Sequence, residues 1–158
     1  MKKLLKLLEK DAHLSPRDLA VMCEKEEGDI KKMIEDFEKR GVILGYTTVI
    51  DWDKTDTEYV NALIELKVTP RVGSGYDEIA ERIYNYPEVE SVYLMSGGFD
   101  LAVMLRGKTM REVAIFVAAK LATIEAVTST ATHFVLRKYK DHNVIFGGAP
   151  IDERGNIL

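Results

Sequence analysis

At 158 residues, 46% hydrophobic and 30% charged, the chain has the apolar content of a globular protein and lies far from the low-hydrophobicity, high-charge region of disorder. Its net charge of −4 counts against a constitutive nucleic-acid binder, and one cysteine, Cys23, excludes an internal disulfide and a cysteine-rich zinc cluster. Lys6, Glu9 and Lys10 interrupt the opening before a signal-peptide core develops, and apolar runs such as Val113–Ala119 are too short to span a bilayer, so a cytoplasmic location without membrane attachment is expected.

Leu4, Leu5 and Leu8 share one side of a first helix, which breaks at Asp11-Ala12-His13. Ser15-Pro16-Arg17-Asp18 opens a second: serine at the cap, proline at the first helical position and an acid three residues beyond the cap. After the polar run Glu24–Asp29, Ile30, Met33, Ile34 and Phe37 recur at i, i+3, i+4 and i+7, the apolar stripe of a third helix. Arg40-Gly41 supplies a basic last turn and a glycine stop, and Val42–Ile50 reads as β-branched strand material. Three short helices followed by a strand are the parts of a winged helix-turn-helix, assigned to residues 1–50. The polar, acidic stretch 51–59 is taken as a linker.

From Val60, the residues Ala62, Ile64, Leu66 and Val68 alternate with Asn61, Leu63, Glu65 and Lys67, a period-two strand that ends at Pro70. Gly73-Ser74-Gly75-Tyr76-Asp77 caps a helix with Tyr76, Ile79, Ala80, Ile83 and Tyr84 as its buried stripe, and Pro87 follows. Ser91–Met95 is the next strand, and Gly97-Gly98 turns it into Leu101–Leu105 as a hairpin. Thr109-Met110-Arg111-Glu112 is a capping box that opens a helix with Val113, Phe116, Val117 and Leu121 inward, and Val127–Tyr139 is the last main strand. Strand, helix, strand, strand, helix, strand gives an α+β chain whose second domain, 60–140, is ferredoxin-like βαββαβ. Residues 141–158 are read as a C-terminal arm or tail.

Several phrases in this order resemble the Lrp/AsnC (feast/famine) regulators: Leu19-Ala20 in the second helix, Arg40–Tyr46 at the exit of the third, Gly97-Gly98-Phe99-Asp100 between strands, and Val127, Thr130-Ala131-Thr132 and Val135-Leu136 in the last strand. The likeness spans about Leu4 to Tyr139. It implies an effector-binding and oligomerisation (RAM-type) domain, domain-swapped homodimers assembling to tetramers or octamers, duplex DNA as partner, and an amino-acid effector held near the glycine turn. Gly97, Gly98, Phe99, Asp100, Thr130 and Thr132 are then the candidate effector residues: exposed backbone N–H groups for a carboxylate, Asp100 for an ammonium, and hydroxyls for further contacts. The residues alone leave a second account open, in which the glycines serve the turn, Asp100 caps it and the threonines are β-formers.

The chain departs from the family where the third helix begins. Glu24, Glu26, Glu27, Gly28 and Asp29 stand where the family has a glycine turn and a serine cap with small residues, and Met33 replaces a mid-helix arginine. Carboxylates there face DNA phosphates, or they favour the helix dipole without reference to DNA. The candidate DNA contacts are Lys31, Lys32, Lys39 and Arg40, with Lys2, Lys3 and Lys6 on the first helix, and the expected binding is weak and salt-dependent; with Glu35, Asp36 and Glu38 interleaved, the same run also reads as a mixed solvated surface. A second function class is an effector-binding oligomer acting through protein partners; a third is a sirohaem-decarboxylase-like enzyme. His13, His133 and His142 lack metal-ligand spacing, with His133 read as a packed or interface residue, and neither Gly73-Ser74-Gly75 nor Gly97-Gly98 forms a nucleotide fingerprint. No cofactor, metal or catalytic residue is expected.

Overall fold

The computed structural model describes residues 1–70 and 75–147. Gly73 and Ser74 of the expected helix cap, and the tail beyond Gly147, lie outside the described residues. The chain divides into two compact units, Met1–Ile50 with the segment from Lys140 onward, and Asp51–Tyr139.

The first unit holds α1 (Lys2–Lys10), α2 (Pro16–Cys23) and α3 (Glu27–Lys39). Ser15 Oγ accepts the Asp18 N–H at 3.1 Å, satisfying one of the orphan donors at the start of α2. Leu4, Leu19, Ala20, Ile30 and Phe37 are buried together, with Met33, Ile34 and Ile43 half-buried against them. Gly41 closes α3 at φ 66°, and the Val42 N–H reaches back to the Phe37 carbonyl at 2.8 Å, the six-to-one bond of a glycine-terminated helix. Val42–Ile50, expected to be a strand, forms none: no neighbouring strand takes its backbone groups, and Leu44 is 93% exposed. A short hairpin, β5 (Lys140–Asp141) with β6 (Val144–Ile145), belongs to this unit. Its two-residue turn, His142-Asn143, has positive φ at both positions, the backbone that matches strand twist.

The second unit is a four-stranded antiparallel sheet in the order β2-β3-β1-β4, made of β1 (Val60–Val68), β2 (Val89–Leu94), β3 (Leu101–Gly107) and β4 (Val127–Phe134). Its helices are α4 (Asp77–Tyr84) and α5 (Met110–Phe116), the latter continuing through a π-helical turn at Val117–Leu121. The βαββαβ order and the strand order together make it ferredoxin-like. Ala62, Ile64 and Leu66 of β1 lie opposite Leu105, Val103 and Leu101 of β3, and all six side chains are at 0–1% exposure. Val113, Phe116, Val117 and Leu121 are buried as expected. Tyr84 is not: it is 56% exposed, leaving Ile79 and Ile83 as the inner residues of α4. β2 begins at Val89, two residues before the expected start. β4 stops at Phe134, short of Tyr139: Phe134 pairs with Ala62, and after it one further bond, Val135 N–H to the Asn61 carbonyl at 2.8 Å, joins the two strands.

Truncating Leu105 to alanine removes fully buried methyl groups and leaves a cavity, so urea unfolding should show a loss of about 2–5 kcal/mol. Leu44→Ala, at an exposed position, should change stability by less than about 0.5 kcal/mol. Equal effects of the two substitutions would show that the packing is misassigned.

Candidate functional site

Two candidate surfaces exist, one in each unit. In the first, α2 and α3 are joined by Glu24-Lys25-Glu26, and Glu24 sits in the left-handed region at φ 55°, ψ 49°. The Lys25 N–H bonds to the Ala20 carbonyl at 3.0 Å, so the turn is a Schellman-type stop with glutamate where glycine would be free of strain.

Ile30 and Phe37 pin one side of α3 to the core, which turns the stripe Gly28, Lys32, Glu35 and Lys39, spaced i, i+4, i+7 and i+11, to the outside. Three of the seven acids in this region, Glu27, Asp36 and Glu38, have partners within the unit. Glu27 pairs with Lys31 at 2.6 Å, Asp36 with Arg40 at 2.9 Å, and Glu38 Oε1 accepts the Tyr46 hydroxyl at 2.8 Å. Partial burial, followed by the hydrogen bond and charge of Glu38, raises the Tyr46 phenol above its ordinary pKa. Of the four predicted cations, Lys31 and Arg40 are therefore tied to their own helix. Lys32 and Lys39 have no partner among the described residues, a distinction that spacing does not reveal. Residues 1–50 carry ten basic and ten acidic side chains, so the excess negative charge lies elsewhere in the chain.

In the second unit, Gly97, Gly98 and Phe99 form the turn between β2 and β3. The Met95 N–H donates to the Asp100 carbonyl at 2.8 Å, and the Asp100 N–H to the Leu66 carbonyl at 2.9 Å. Asp100 Oδ2 also accepts the Val68 N–H at 2.8 Å, which anchors the turn to the end of β1. Thr130 lies opposite Leu66 and Thr132 opposite Ile64, so β1 carries Asp100 on its β3 side and Thr130 on its β4 side, both at the level of Leu66. Thr130 is half-buried; Thr132, Gly97 and Gly98 are exposed. Neither glycine has positive φ, and a Cβ on either would meet nothing within 4 Å. Neither the chain's own backbone conformation nor its internal packing therefore demands glycine at either position. A cavity of about 300 Å³ in this unit lies at the other end of β3, beside Leu105, Gly107, Val113 and Phe116, and none of the turn residues lines it. His133, on the sheet face away from the buried core, places Nε2 3.2 Å from Glu65 Oε1.

Among the described residues no group of three His, Cys, Asp or Glu side chains could hold a metal, and no helix is long and apolar enough to cross a membrane. A helix-turn-helix unit and a ferredoxin-like unit with an open, anchored turn are the parts of a two-unit transcription regulator. The profile of the Lrp/AsnC ligand binding domain matches residues 61–145. The uncharacterized HTH-type transcriptional regulator YugG of Bacillus subtilis (strain 168) is 45% identical over 153 residues, 96% of this chain and 92% of its own. The chain belongs to the Lrp/AsnC family of HTH-type transcriptional regulators. Among the solved structures that share its fold are two regulators. The leucine response regulatory protein LrpA of Mycobacterium tuberculosis superposes with a TM-score of 0.75 at 19% identity, over 92% of this chain and 97% of that one. The transcriptional regulator NMB0573 of Neisseria meningitidis, solved in complex with L-Met, does so with a TM-score of 0.72 at 19% identity, over 88% and 89%.

Replacing Glu24 by glycine removes a left-handed strain of about 1 kcal/mol, part of which the greater freedom of the unfolded chain offsets. The urea midpoint should rise. A lower midpoint would show that the Glu24 side chain, rather than its backbone, is what the turn uses.

Proposed function

We propose that α3 binds duplex DNA through Lys32 and Lys39, with Lys31 and Arg40 in lesser roles, and that an amino acid bound at Gly97–Asp100 with Thr130 and Thr132 sets that affinity. The observation that carries the first half is the internal pairing of Glu27, Asp36 and Glu38, which leaves the outward stripe with two free ammonium groups and one carboxylate, Glu35. Phosphate contacts need mobile, unpaired cations, and these are the two that α3 presents.

The second half is supported by the turn. Gly97 and Gly98 are exposed with open space above them, as they would be if the constraint on them came from a ligand or from another copy of the chain. Asp100 keeps one carboxylate oxygen after bonding Val68, enough to accept an ammonium N–H. A relative of the same fold is known in complex with L-Met. The third part of the reading is assembly, with homodimers building tetramers or octamers inside the cell. Val42, Leu44 and Tyr46 expose large side chains at every second residue of a segment that lacks a strand partner among the described residues, a surface that a second copy would cover.

Glu24, Glu26 and Asp29 favour the competing reading, an effector-binding oligomer that works through protein partners, because they make no ion pair among the described residues and cluster at the start of α3.

Mobility-shift titrations on the DNA upstream of its own gene separate the two. Lys32→Glu and Lys39→Glu should each weaken binding at least tenfold and lower the salt slope by about one, while Lys31→Glu acts less. Gly98→Val should abolish amino-acid-induced thermal stabilisation while leaving the ligand-free melting temperature unchanged. No retardation at low salt, with or without amino acids, removes DNA binding from the account.

A further inference from the structure

Residues 51–59, which composition marks as a linker, belong to the second unit and are fastened to its sheet. Trp52 opens a short 3₁₀ turn, Trp52–Lys54, and its ring meets Tyr59 edge-on with centroids 5.1 Å apart. Arg106 of β3 places its guanidinium 5.1 Å from the Tyr59 ring and 5.8 Å from the Trp52 ring, and it forms an ion pair with Glu90 of β2. Planar, weakly hydrated guanidinium is suited to this combination of ring faces and carboxylate.

The cluster also contains the means of its own release. Arg106 Nε is a buried donor without an acceptor, and Asn61 Oδ1 is a buried acceptor without a donor. Asn61 and Arg106 are direct register partners on β1 and β3. Buried groups left unpaired cost free energy, so a second arrangement in which Arg106 turns to Asn61 gains a hydrogen bond as it gives up contact with the rings. Such an arrangement would leave the connector unheld. The strands that carry this choice are the same two whose opposite ends are joined by Asp100.

We propose that Arg106 is the positioning residue of the connector: by clamping Trp52 and Tyr59 it makes 51–59 part of the sheet unit and passes the ligand state of that unit to the DNA affinity of α3. The clamp is independent of the functional reading above; its role in the ligand response rests on that reading.

Trp52 is the chain's one tryptophan, and Lys54 is the single trypsin site between Asp51 and Glu65, so the full-length protein reports on the clamp directly. In Arg106→Gln, acrylamide quenching of Trp52 should at least double and cleavage after Lys54 should accelerate about tenfold, with circular dichroism unchanged. Arg106→Lys, which keeps the cation, should restore part of both, and Asn61→Leu, which removes the alternative acceptor, should slow cleavage below wild type. In mobility shifts, Arg106→Gln should bind DNA without ligand as wild type does and lose the amino-acid response. Unchanged quenching and cleavage in a folded Arg106→Gln overturn the clamp. A freed Trp52 with the ligand response intact overturns the coupling. A wild-type protein without any amino-acid response counts against both the functional reading and the coupling, while the clamp is still decided by quenching and cleavage.

Discussion

The pairing of β1 with β3 is the constraint on which the second unit depends. Because side chains alternate along a strand, the register that buries Ala62, Ile64 and Leu66 against Leu105, Val103 and Leu101 also sends Asn61, Leu63 and Glu65 to the opposite face. A one-residue slip would exchange the two sets, burying Glu65 and exposing Ile64 and Leu66, at about 1.5–3 kcal/mol for each large apolar side chain lost to water. The register is therefore tightly specified, and with it the ends of the pair. At one end Leu66 and Val68 receive Asp100; at the other Asn61 faces Arg106. The candidate ligand turn and the connector clamp are thus two ends of one rigid strand pair.

Features that depend on local pattern were legible in the sequence. The serine and threonine caps, the apolar stripes of α3 and α5, the glycine stop at Gly41 and the alternation in β1 are each set by a few neighbouring residues, and the structure contains them all. What was misread depends on a partner. Val42–Ile50 has strand composition, but a strand exists only where another takes its hydrogen bonds, and β4 likewise ends where its pairing with β1 stops, at Phe134 opposite Ala62. Tyr84 fits a helical period yet lies at the margin of a stripe wide enough only for Ile79 and Ile83.

The candidate surfaces were legible only in part for the same reason. Spacing places Lys31, Lys32, Lys39 and Arg40 on α3 but does not say which are paired: Lys31 meets Glu27 and Arg40 meets Asp36, whereas Glu35 and Lys39, at the same i,i+4 spacing, form no ion pair among the described residues. Glu24 looked like a charge set against DNA, whereas its backbone serves as the left-handed stop of α2. The connector reads as a linker because its polar composition hides two aromatic residues, Trp52 and Tyr59, whose shared cation comes from a strand about fifty residues later in the chain.

The charge distribution bears on how such a chain would grip DNA at all. Residues 1–50 are electrically balanced, and α3 offers two unpaired lysines, a small number against the six to ten phosphate contacts of a tightly salt-dependent binder. One copy therefore has little electrostatic affinity to draw on. Joining copies changes this without adding any contact, because the second helix then binds at the high effective concentration set by the first. On the proposed reading, a weakly DNA-binding helix and assembly into homo-oligomers are consistent halves of one solution: affinity would grow with the number of copies held together, so a ligand that alters how the copies are held would alter DNA binding without touching α3.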